Sequence, residues 1–444
     1  MSDTCINKSE YAKIPLNKLT KEHIGMKVRT FGWVESTRKM GKAGTFIDLY
    51  AGYKVLKCLY PQVCNTLTKC TSVTIYGEVC ENYKGSRDDS PIEFHIHLLE
   101  VFGNKPAPPF PINDESSAFT RLEYGHLNLR TKERILFLKA RSMLSRIIRD
   151  FYFENDYTEV TPPTLVQTQV EGGSTLFELD YYGSPAYLTQ SSQLYLETVA
   201  PVVMKTFCIM PSYRAEKSNT VRHLSEYTHV EAELADVDFS ELLDEIEKLL
   251  VYIINKFYAS MRDDILALYP QFEFLKVPEG KFMRIKYSEA IEELRKRGYK
   301  KEDGSDFEQG DDIPDAAERY LVKEVGGGYP VFLTHFPVSF KPFYMRKAEE
   351  DRSLTESVDL LFPGVGETVG GSMRCDTHDE LMDGFAREGL DSKPYYWYTD
   401  MYAYGPCKHG GYGLGFERLL MGLMKWNSVN KATLYPRFTT RCSP

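Results

Sequence analysis

Arginine, histidine, glutamate and tyrosine are concentrated in residues 213–233, which read YRAEKSNTVRHLSEYTHVEAE. Partial period-2 alternation predicts two strands, at 213–217 and 225–233, joined by a polar loop. Alternate strand side chains share a face, so Arg214 and Glu216 are expected together, as are alternate residues from 227 to 233. Guanidinium groups bind phosphate oxygens in a bidentate fork, and an aromatic ring can stack on a base. A polyphosphate-binding surface is predicted; on this stretch alone, a solvated hairpin is the alternative.

The same stretch resembles motif 2 of the class II aminoacyl-tRNA synthetases, which has the form fRxE, a loop, then RHxxEFT. This chain has YRAE at 213–216 and RHLSEYT at 222–228, with Tyr227 in place of the usual Phe. The resemblance implies that ATP is a substrate. It implies the following ATP contacts: Arg214, Glu216, Arg222, His223 and Tyr227. Of these, Arg214, Glu216 and His223 are also implied to be catalytic.

Length and composition fit a soluble multidomain protein. The chain has 444 residues, enough for two or three domains. It has no apolar run of membrane-spanning length and no apolar signal-peptide core, so no membrane association is predicted. Nine cysteines are scattered without a CxxC pair, which indicates a reducing cytoplasm and no zinc site. The net charge of −9 argues against indiscriminate nucleic-acid coating, and DNA is not a predicted partner.

Residues 1–104 differ from the remainder in charge and texture. They carry 14 Lys plus Arg against 11 Asp plus Glu, so their net charge is +3 and that of the remainder is −12. Short alternating runs at 27–35, 45–50, 54–60, 72–79 and 92–102 predict a small barrel or sandwich. The segment GWVESTRKMGKAGTFIDL resembles the anticodon-binding OB-fold of the aspartyl, asparaginyl and lysyl synthetases.

In such a barrel an exposed aromatic ring stacks on an unpaired base while basic residues follow the backbone. The resemblance implies these contacts with tRNA: Arg38, Phe46, Lys57 and Glu93. Lys57 stands where the family tends to have Gln. Phe46, taken alone, also fits an ordinary inward-facing strand residue.

Residues 105–125 are predicted to be a linker, because 103–118 is rich in proline and polar residues and lacks periodicity. The catalytic domain is then expected over 126–444. Apolar residues recur at helical spacing from 131 to 153, before the proline-bearing stretch TEVTPPTL. Read as motif 1 of the family, this helix and Pro162 imply a homodimer interface.

The amino-acid pocket is expected near residues 169–198. Two glycines after Glu171 allow a tight turn, and by resemblance this loop closes on the amino acid, whose ammonium group Glu171 and Gln193 contact. Aspartyl synthetases read QSPQLYK where this chain reads QSSQLYLE, so Leu196 replaces the lysine that neutralises an aspartate carboxylate. Burying that carboxylate without a cation is costly. With Glu197 as acceptor and Arg374 as donor, a neutral carboxamide is favoured; a plain core leucine is the alternative for Leu196.

Residues 359–374, DLLFPGVGETVGGSMR, are predicted to hold a metal ion. Mg2+ prefers hard oxygen ligands and shares them with phosphate and water, so one or two carboxylates suffice. By resemblance Glu367 bridges Mg2+ to the ATP phosphates, Asp359 is the second ligand, and Gly370 lets the backbone approach closely. Tyr344, in a strand-like segment at 334–345, is expected beside the amino acid.

The segment HGGYGLGFERLLMGL, at 409–423, resembles motif 3 of the same family, a glycine-rich strand running into a helix. The resemblance implies that Arg418 contacts the terminal phosphate of a bent ATP and is a further ATP-binding and catalytic residue. The dinucleotide fingerprint GxGxxG is absent, and no βαβ context surrounds the glycines.

These matches predict an α+β protein, in which an N-terminal OB-fold β-barrel precedes a class II synthetase catalytic domain with an antiparallel β-sheet flanked by helices. The implied activity is the ATP- and Mg2+-dependent activation of L-asparagine and its transfer to tRNA(Asn). Two alternatives stay open. One is an aspartyl or non-discriminating enzyme, and the other is a relative retained as an RNA-binding or signalling module without catalysis.

Overall fold

The computed structural model describes residues 6–41, 44–64, 66–82, 90–104, 106–170, 176–217 and 220–443. The chain divides into two compact units, Met1–Leu129 and Arg130–Pro444. Residues 105–125, predicted to be a linker, belong to the first unit. Among the described residues, no helix has the length and apolar character needed to span a membrane.

The first unit is built on a closed barrel. Its described residues form the strands β1 (Ala12–Lys13), β2 (Lys27–Lys39), β3 (Thr45–Ala51), β4 (Lys54–Tyr60), β5 (Ser72–Glu81) and β6 (Ile92–Val101), followed by the helices α1 (Ala118–Glu123) and α2 (Gly125–Asn128). The strand order is β1-β2-β3-β4-β6-β5, and pairing of β2 with β5 closes the barrel. Alternate residues such as Val34, Ile47 and Ile75 fill its interior. The predicted OB-like barrel is confirmed.

The second unit contains the larger sheet and most of the helices. Its strands are β7 (Thr158–Glu159), β8 (Leu165–Val166), β9 (Glu178–Tyr181), β10 (Ser184–Leu188), β11 (Lys205–Tyr213), β12 (Glu226–Ala235), β13 (Met283–Lys286), β14 (Val331–Thr334), β15 (Ser357–Phe362), β16 (Gly366–Met373) and β17 (His409–Gly415). Its helices are α3 (Lys132–Glu154), α4 (Gln193–Val203), α5 (Phe239–Leu268), α6 (Tyr287–Lys296), α7 (Asp315–Tyr320), α8 (His378–Glu388), α9 (Tyr396–Ala403) and α10 (Phe416–Leu423).

The large sheet has the order β13-β14-β15-β16-β17-β12-β11-β7 over the described part of the chain. All pairs from β14 to β11 are antiparallel, whereas the edge strands β13 and β7 pair in parallel. The apolar sides of α3 and α5 cover one face, where Val230, Ala232 and Leu234 of β12 join the main core. Alternation along β12 therefore turns its charged side chains to the opposite face.

Two strand predictions are wrong. Residues 214–217 are not a strand. The backbone N–H of Arg214 donates to the carbonyl of Ser225, but the N–H of Ser225 donates to the carbonyl of Arg437, 2.8 Å away, instead of continuing the ladder. Residues 335–345 form a 3₁₀ turn at Val338–Phe340 rather than a strand. His335 has φ of 58°, a left-handed conformation that ends β14.

Candidate active site

A cavity of about 390 Å³ lies on the face of the large sheet that α3 and α5 leave uncovered. Residues far apart in the sequence meet around it. The predicted site residues that line it are Gln193, Arg214, Glu216, Arg222, His223, Tyr227, Tyr344, Asp359, Glu367, Gly370, Arg374 and Arg418. Most of the residues predicted to be catalytic, or to bind the nucleotide or the amino acid, therefore lie around one cavity.

Strands β12 and β17 form part of its floor, and their pairing explains the glycines of β17. Glu233 pairs with Gly411 and Glu231 with Gly413 in the antiparallel register. A Cβ at Gly411 would collide with the Glu233 carboxylate, and one at Gly413 would collide with the His229 ring. The glycines thus leave room for the long polar side chains that β12 directs into the cavity.

One end of the cavity is rich in cations. Arg418, in the first turn of α10, donates through Nη1 to the backbone oxygen of Glu367 at 2.9 Å and to its Oε2 at 3.2 Å. The Arg214 guanidinium lies 5.6 Å from the centre of the Tyr227 ring. Burial, reinforced by Arg418, lowers the pKa of His223, so its ring is neutral at neutral pH. This end suits a polyanion, because fixed guanidinium groups bind phosphate oxygens.

Arg222 is held at the edge of the same end. Its Nη1 lies 2.7 Å from Oε2 of Glu318 and 2.9 Å from Oδ1 of Asp315. Glu318 also accepts a hydrogen bond from the backbone N–H of Glu367 at 3.0 Å. Gly366, whose φ is 88°, leaves space for this pair. Glu318 and Asp315 are therefore positioning residues that the sequence interpretation missed.

Two carboxylates face each other beside Gly370. Asp359 of β15 pairs with Gly370 of β16, and a Cβ at Gly370 would lie 3.4 Å from Glu367 Oε1 and 3.8 Å from Asp359 Oδ1. Burial would raise the pKa of Glu367, but the surrounding cations, Arg418 first, lower it to about 2. Burial raises the pKa of Asp359 to about 6, although Lys341 opposes the shift. Two carboxylates beside a group of arginines that suits a polyanion fit Mg2+, which shares its ligands with phosphate and water.

The other end of the cavity is closed by a buried ion pair. The guanidinium of Arg374, 2% exposed, donates through Nε and Nη2 to the two oxygens of Glu233, with Nε 3.3 Å from Oε2. Its Nη1 donates to Ser372 Oγ at 2.7 Å, and the guanidinium lies 5.3 Å from the centre of the Tyr344 ring. Burial raises the pKa of Glu233 to about 7 even though Arg374 opposes the shift.

Leu196 and Glu197 lie behind the Arg374–Glu233 ion pair, outside the cavity lining. Leu196 is completely buried, as the core-leucine alternative anticipated. Glu197 accepts hydrogen bonds from Gln193 Nε2 and Tyr398 Oη, both at 2.8 Å, and from His409 Nε2 at 2.9 Å. Both of its oxygens accept hydrogen bonds from protein donors, so Glu197 is linked to the cavity through Gln193 and does not line it as predicted.

His409 completes this buried network. Its Nδ1 lies 2.9 Å from the carbonyl oxygen of Cys407, so both ring nitrogens face oxygen acceptors. Burial would lower the pKa of His409, but the hydrogen bonds to Cys407 and Glu197 outweigh burial and raise it to about 10. The ring is therefore an imidazolium that balances the charge of Glu197.

Comparison with known proteins shows the family of this chain. The family model described as "tRNA synthetases class II (D, K and N)" matches residues 117–439. The chain belongs to this family.

Relatives and solved structures of the family cover nearly the whole of this synthetase. It is 62% identical over 441 residues to the probable cytoplasmic asparagine–tRNA ligase of Encephalitozoon cuniculi, covering 99% of this chain and 97% of the relative. It is 46% identical over 429 residues to the human cytoplasmic asparagine–tRNA ligase, covering 95% and 77%. The Entamoeba histolytica asparaginyl-tRNA synthetase in complex with asparaginyl-adenylate superposes with a TM-score of 0.88 at 38% identity, covering 98% of this chain and 99% of that one.

A salt bridge joins the helix of motif 1 to the helix of motif 3 beside the cation-rich end of the cavity. Arg141 of α3 donates to Glu417 Oε1 at 2.8 Å and contacts the hydroxyl of Thr228. Glu417 accepts the backbone N–H of Thr228 at 2.9 Å through its other oxygen. Since Arg418 directly follows Glu417, this network fixes the start of α10 where the nucleotide is expected.

Glu171 and Pro162 are the remaining predicted site residues of the second unit. Glu171, expected on the loop over the amino acid, falls outside the described residues. Pro162, expected at a dimer interface, is buried within the chain, whereas Pro163 and Leu165 beside it are exposed.

The predicted anticodon contacts lie together on the outer face of the barrel. Arg38 of β2 pairs with Phe46 of β3, and its guanidinium lies 5.2 Å from the centre of the Phe46 ring. Phe46 is half-buried between the inward-facing Thr45 and Ile47, which excludes the reading of Phe46 as a core residue. Lys57 on β4 and Glu93 on β6 are half-buried on the neighbouring strands.

Proposed function

We propose that this synthetase is an asparagine–tRNA ligase, which activates L-asparagine with ATP and transfers it to tRNA(Asn). The proposal rests on one observation: a single cavity has a cation-rich end and, opposite it, an end closed by a buried ion pair. Arg214, His223 and Arg418 surround one end, and the Arg374–Glu233 pair closes the other. The asparagine–tRNA ligases among the relatives cover almost the full length of the chain.

The charge balance of the closed end supports asparagine over aspartate. Arg374 and His409 are cations, and Glu197 and the ionised form of Glu233 are anions, so these four buried groups carry no net charge when Glu233 is ionised. A carboxamide keeps that balance, whereas an aspartate carboxylate adds an uncompensated buried charge. Leu196 supplies no further cation. Arg374 can donate to the amide oxygen and Glu233 can accept from the amide nitrogen.

ATP is proposed to lie across the other end with its phosphates bent over the sheet. Arg214 and Glu216 are assigned to the region of the α-phosphate, Tyr227 to the adenine ring, and Arg418 with Arg222 and His223 to the terminal phosphates. Asp359 and Glu367 would hold Mg2+, which when bound supplies positive charge to the phosphate oxygens. Gly370 lets the ligand approach the backbone of β16.

The reaction requires no protein nucleophile. The carboxylate of asparagine attacks the α-phosphorus of ATP, the bond to the bridging oxygen breaks, and pyrophosphate leaves while asparaginyl-adenylate forms. Arg214 stabilises the charge that develops on the α-phosphate, and Arg418 orients the leaving group. The terminal ribose of tRNA, through its 3′-hydroxyl, then displaces AMP. Catalysis is mainly positioning and electrostatics, as in other phosphoryl-group displacements.

The same proposal assigns the remaining partners. Glu171 and Gln193 are assigned to the ammonium group of asparagine, with Tyr344 beside it. Arg38, Phe46, Lys57 and Glu93 form the proposed anticodon contacts, and the segment around Pro162 belongs to a proposed homodimer interface. The relatives at 62%, 54% and 50% identity are all named cytoplasmic, which supports a cytoplasmic location.

Amino-acid-dependent ATP–pyrophosphate exchange across the twenty amino acids tests the proposal. Asparagine is expected to support exchange, and aspartate is expected to support far less. Faster exchange with aspartate would favour the aspartyl alternative. No exchange with any amino acid, from folded protein, would favour a relative without catalysis.

A further inference from the structure

Lys341 contacts Asp359, one of the two facing carboxylates, from the segment at 335–345 that was predicted to be strand-like. Its Nζ donates to both oxygens of Asp359, at 3.0 and 2.9 Å. Both side chains are largely enclosed, with exposed fractions of 14% and 18%. The ammonium also lies 3.8 Å from the centre of the Phe336 ring, and Arg387 anchors the backbone by donating to the carbonyl of Lys341 at 3.0 Å.

The two carboxylates differ in how their charge is compensated. Glu367 has Arg418 at 3.2 Å, and Lys341, Arg214 and Arg222 also lower its pKa. Asp359 is compensated by Lys341, the cation that contacts it among the described residues. A buried carboxylate without a partner is unfavourable. Some cation therefore has to occupy Asp359 when no metal is bound.

We infer that Lys341 is a placeholder for the metal ion: it neutralises Asp359 while the nucleotide site is empty and competes with the divalent cation for that carboxylate. This inference rests on the proposed function, because it takes Asp359 as a ligand of the ATP-bound Mg2+. A divalent ion on Asp359 has to use an oxygen that Lys341 occupies. Repulsion between the ion and the ammonium then displaces Lys341 into the cavity, on its flexible four-carbon stem.

The position of Lys341 gives this exchange a consequence for the amino acid. Phe340, Lys341, Pro342 and Tyr344 all line the cavity, and Tyr344 lies against Arg374. Lys341, which contacts Asp359, and Tyr344, whose ring packs on the Arg374 guanidinium, thus belong to the same loop. Metal binding and amino-acid binding are coupled through this segment.

The test uses the full chain without nucleotide or amino acid, titrated with Mn2+ as a spectroscopic substitute for Mg2+. Free Mn2+ is followed by electron paramagnetic resonance. Lys341→Met removes the competing charge and is expected to tighten Mn2+ binding about tenfold. Lys341→Arg, which keeps the charge, is expected to resemble the wild type, and adding Asp359→Asn to Lys341→Met should abolish the gain.

Lys300→Met is the control, because Lys300 also forms an ion pair with an aspartate, Asp306 at 2.6 Å, on a half-exposed surface outside the cavity lining. Its Mn2+ affinity should equal that of the wild type. Unchanged or weaker Mn2+ binding by folded Lys341→Met, or no detectable binding, would overturn the inference.

A second measurement needs no variant and so does not depend on variant folding. Lysine acylation of the wild type, quantified by peptide mass spectrometry, should increase at Lys341 when Mn2+ is added and stay constant at Lys300. Equal labelling of Lys341 with and without Mn2+ would also overturn the inference. Asparagine-dependent exchange by the same preparation reports separately whether the proposed function holds.

Discussion

Replacing Glu233 by glutamine should weaken the discrimination between asparagine and aspartate. Glu233 neutralises Arg374, the guanidinium proposed to hold the side-chain oxygen of the substrate. In Glu233→Gln the charge of Arg374 is no longer cancelled, while Glu197 still balances His409. The closed end of the cavity therefore gains a net positive charge, and an aspartate carboxylate becomes the better-matched ligand.

The magnitude follows from the charges. Two unit charges about 4 Å apart interact by about 4 kcal/mol at an effective dielectric constant of about 20. Glu233 is only partly ionised at neutral pH, because its pKa is about 7. Half of the full repulsion, about 2 kcal/mol, corresponds to roughly a 30-fold change in the ratio of kcat/KM for asparagine to kcat/KM for aspartate. Loss of a charged acceptor for the amide N–H adds about 1 kcal/mol against asparagine.

The assay is ATP–pyrophosphate exchange with each amino acid, reported as the ratio of kcat/KM for asparagine to that for aspartate. The control is Glu159→Gln, since Glu159 forms an ion pair with Arg149 at 3.0 Å but does not line the cavity. Its ratio should match that of the wild type. A Glu233→Gln enzyme that folds normally but keeps the wild-type ratio, or prefers asparagine more strongly, would refute the charge-balance argument.

The pH dependence provides an independent check on the same carboxyl group. Below its pKa of about 7, Glu233 is protonated and Arg374 is uncompensated, so aspartate is tolerated better. Above that pKa, Glu233 is ionised and repels the aspartate carboxylate. Discrimination by the wild type should increase between about pH 6 and about pH 8, and that increase should be absent in Glu233→Gln.

Three further substitutions test other parts of the site. Arg214→Ala should lower adenylate formation by about 10²–10³-fold with tRNA affinity unchanged, and wild-type exchange rates would contradict its catalytic role. Phe46→Ala should weaken tRNA binding by about 1–3 kcal/mol in a filter-binding assay without affecting exchange; equal affinity would exclude base stacking. Gly366→Ala should raise KM for ATP about tenfold, because the new Cβ would lie 2.5 Å from Glu318 and 2.7 Å from Arg222. The left-handed φ of this position adds a strain of about 1–3 kcal/mol for alanine. An unchanged KM would show that the Glu318–Arg222 pair does not position the nucleotide site.

The elements that carry local patterns were predicted well. Helical spacing predicted a helix at 131–153, and the structure has one at Lys132–Glu154. The glycine-rich run before Arg418 is the strand His409–Gly415, followed by the helix Phe416–Leu423. Period-2 alternation placed Tyr227 and its alternate neighbours on the cavity side of β12. Short polar segments with weak alternation, such as 214–217, were predicted poorly because their hydrogen-bond partners come from distant parts of the chain.

The sequence by itself determined the order of the motifs, the side chains they offer and the faces on which regular strands and helices present them, because those depend on neighbours a few positions apart. The tertiary structure alone decided which charges meet. Arg374 is paired with Glu233, 141 positions away, whereas Glu197 accepts hydrogen bonds from His409 and Gln193 and does not line the cavity. Burial and the charged or hydrogen-bonded partners together set the pKa values of these groups, and both depend on packing between distant segments rather than on residue type.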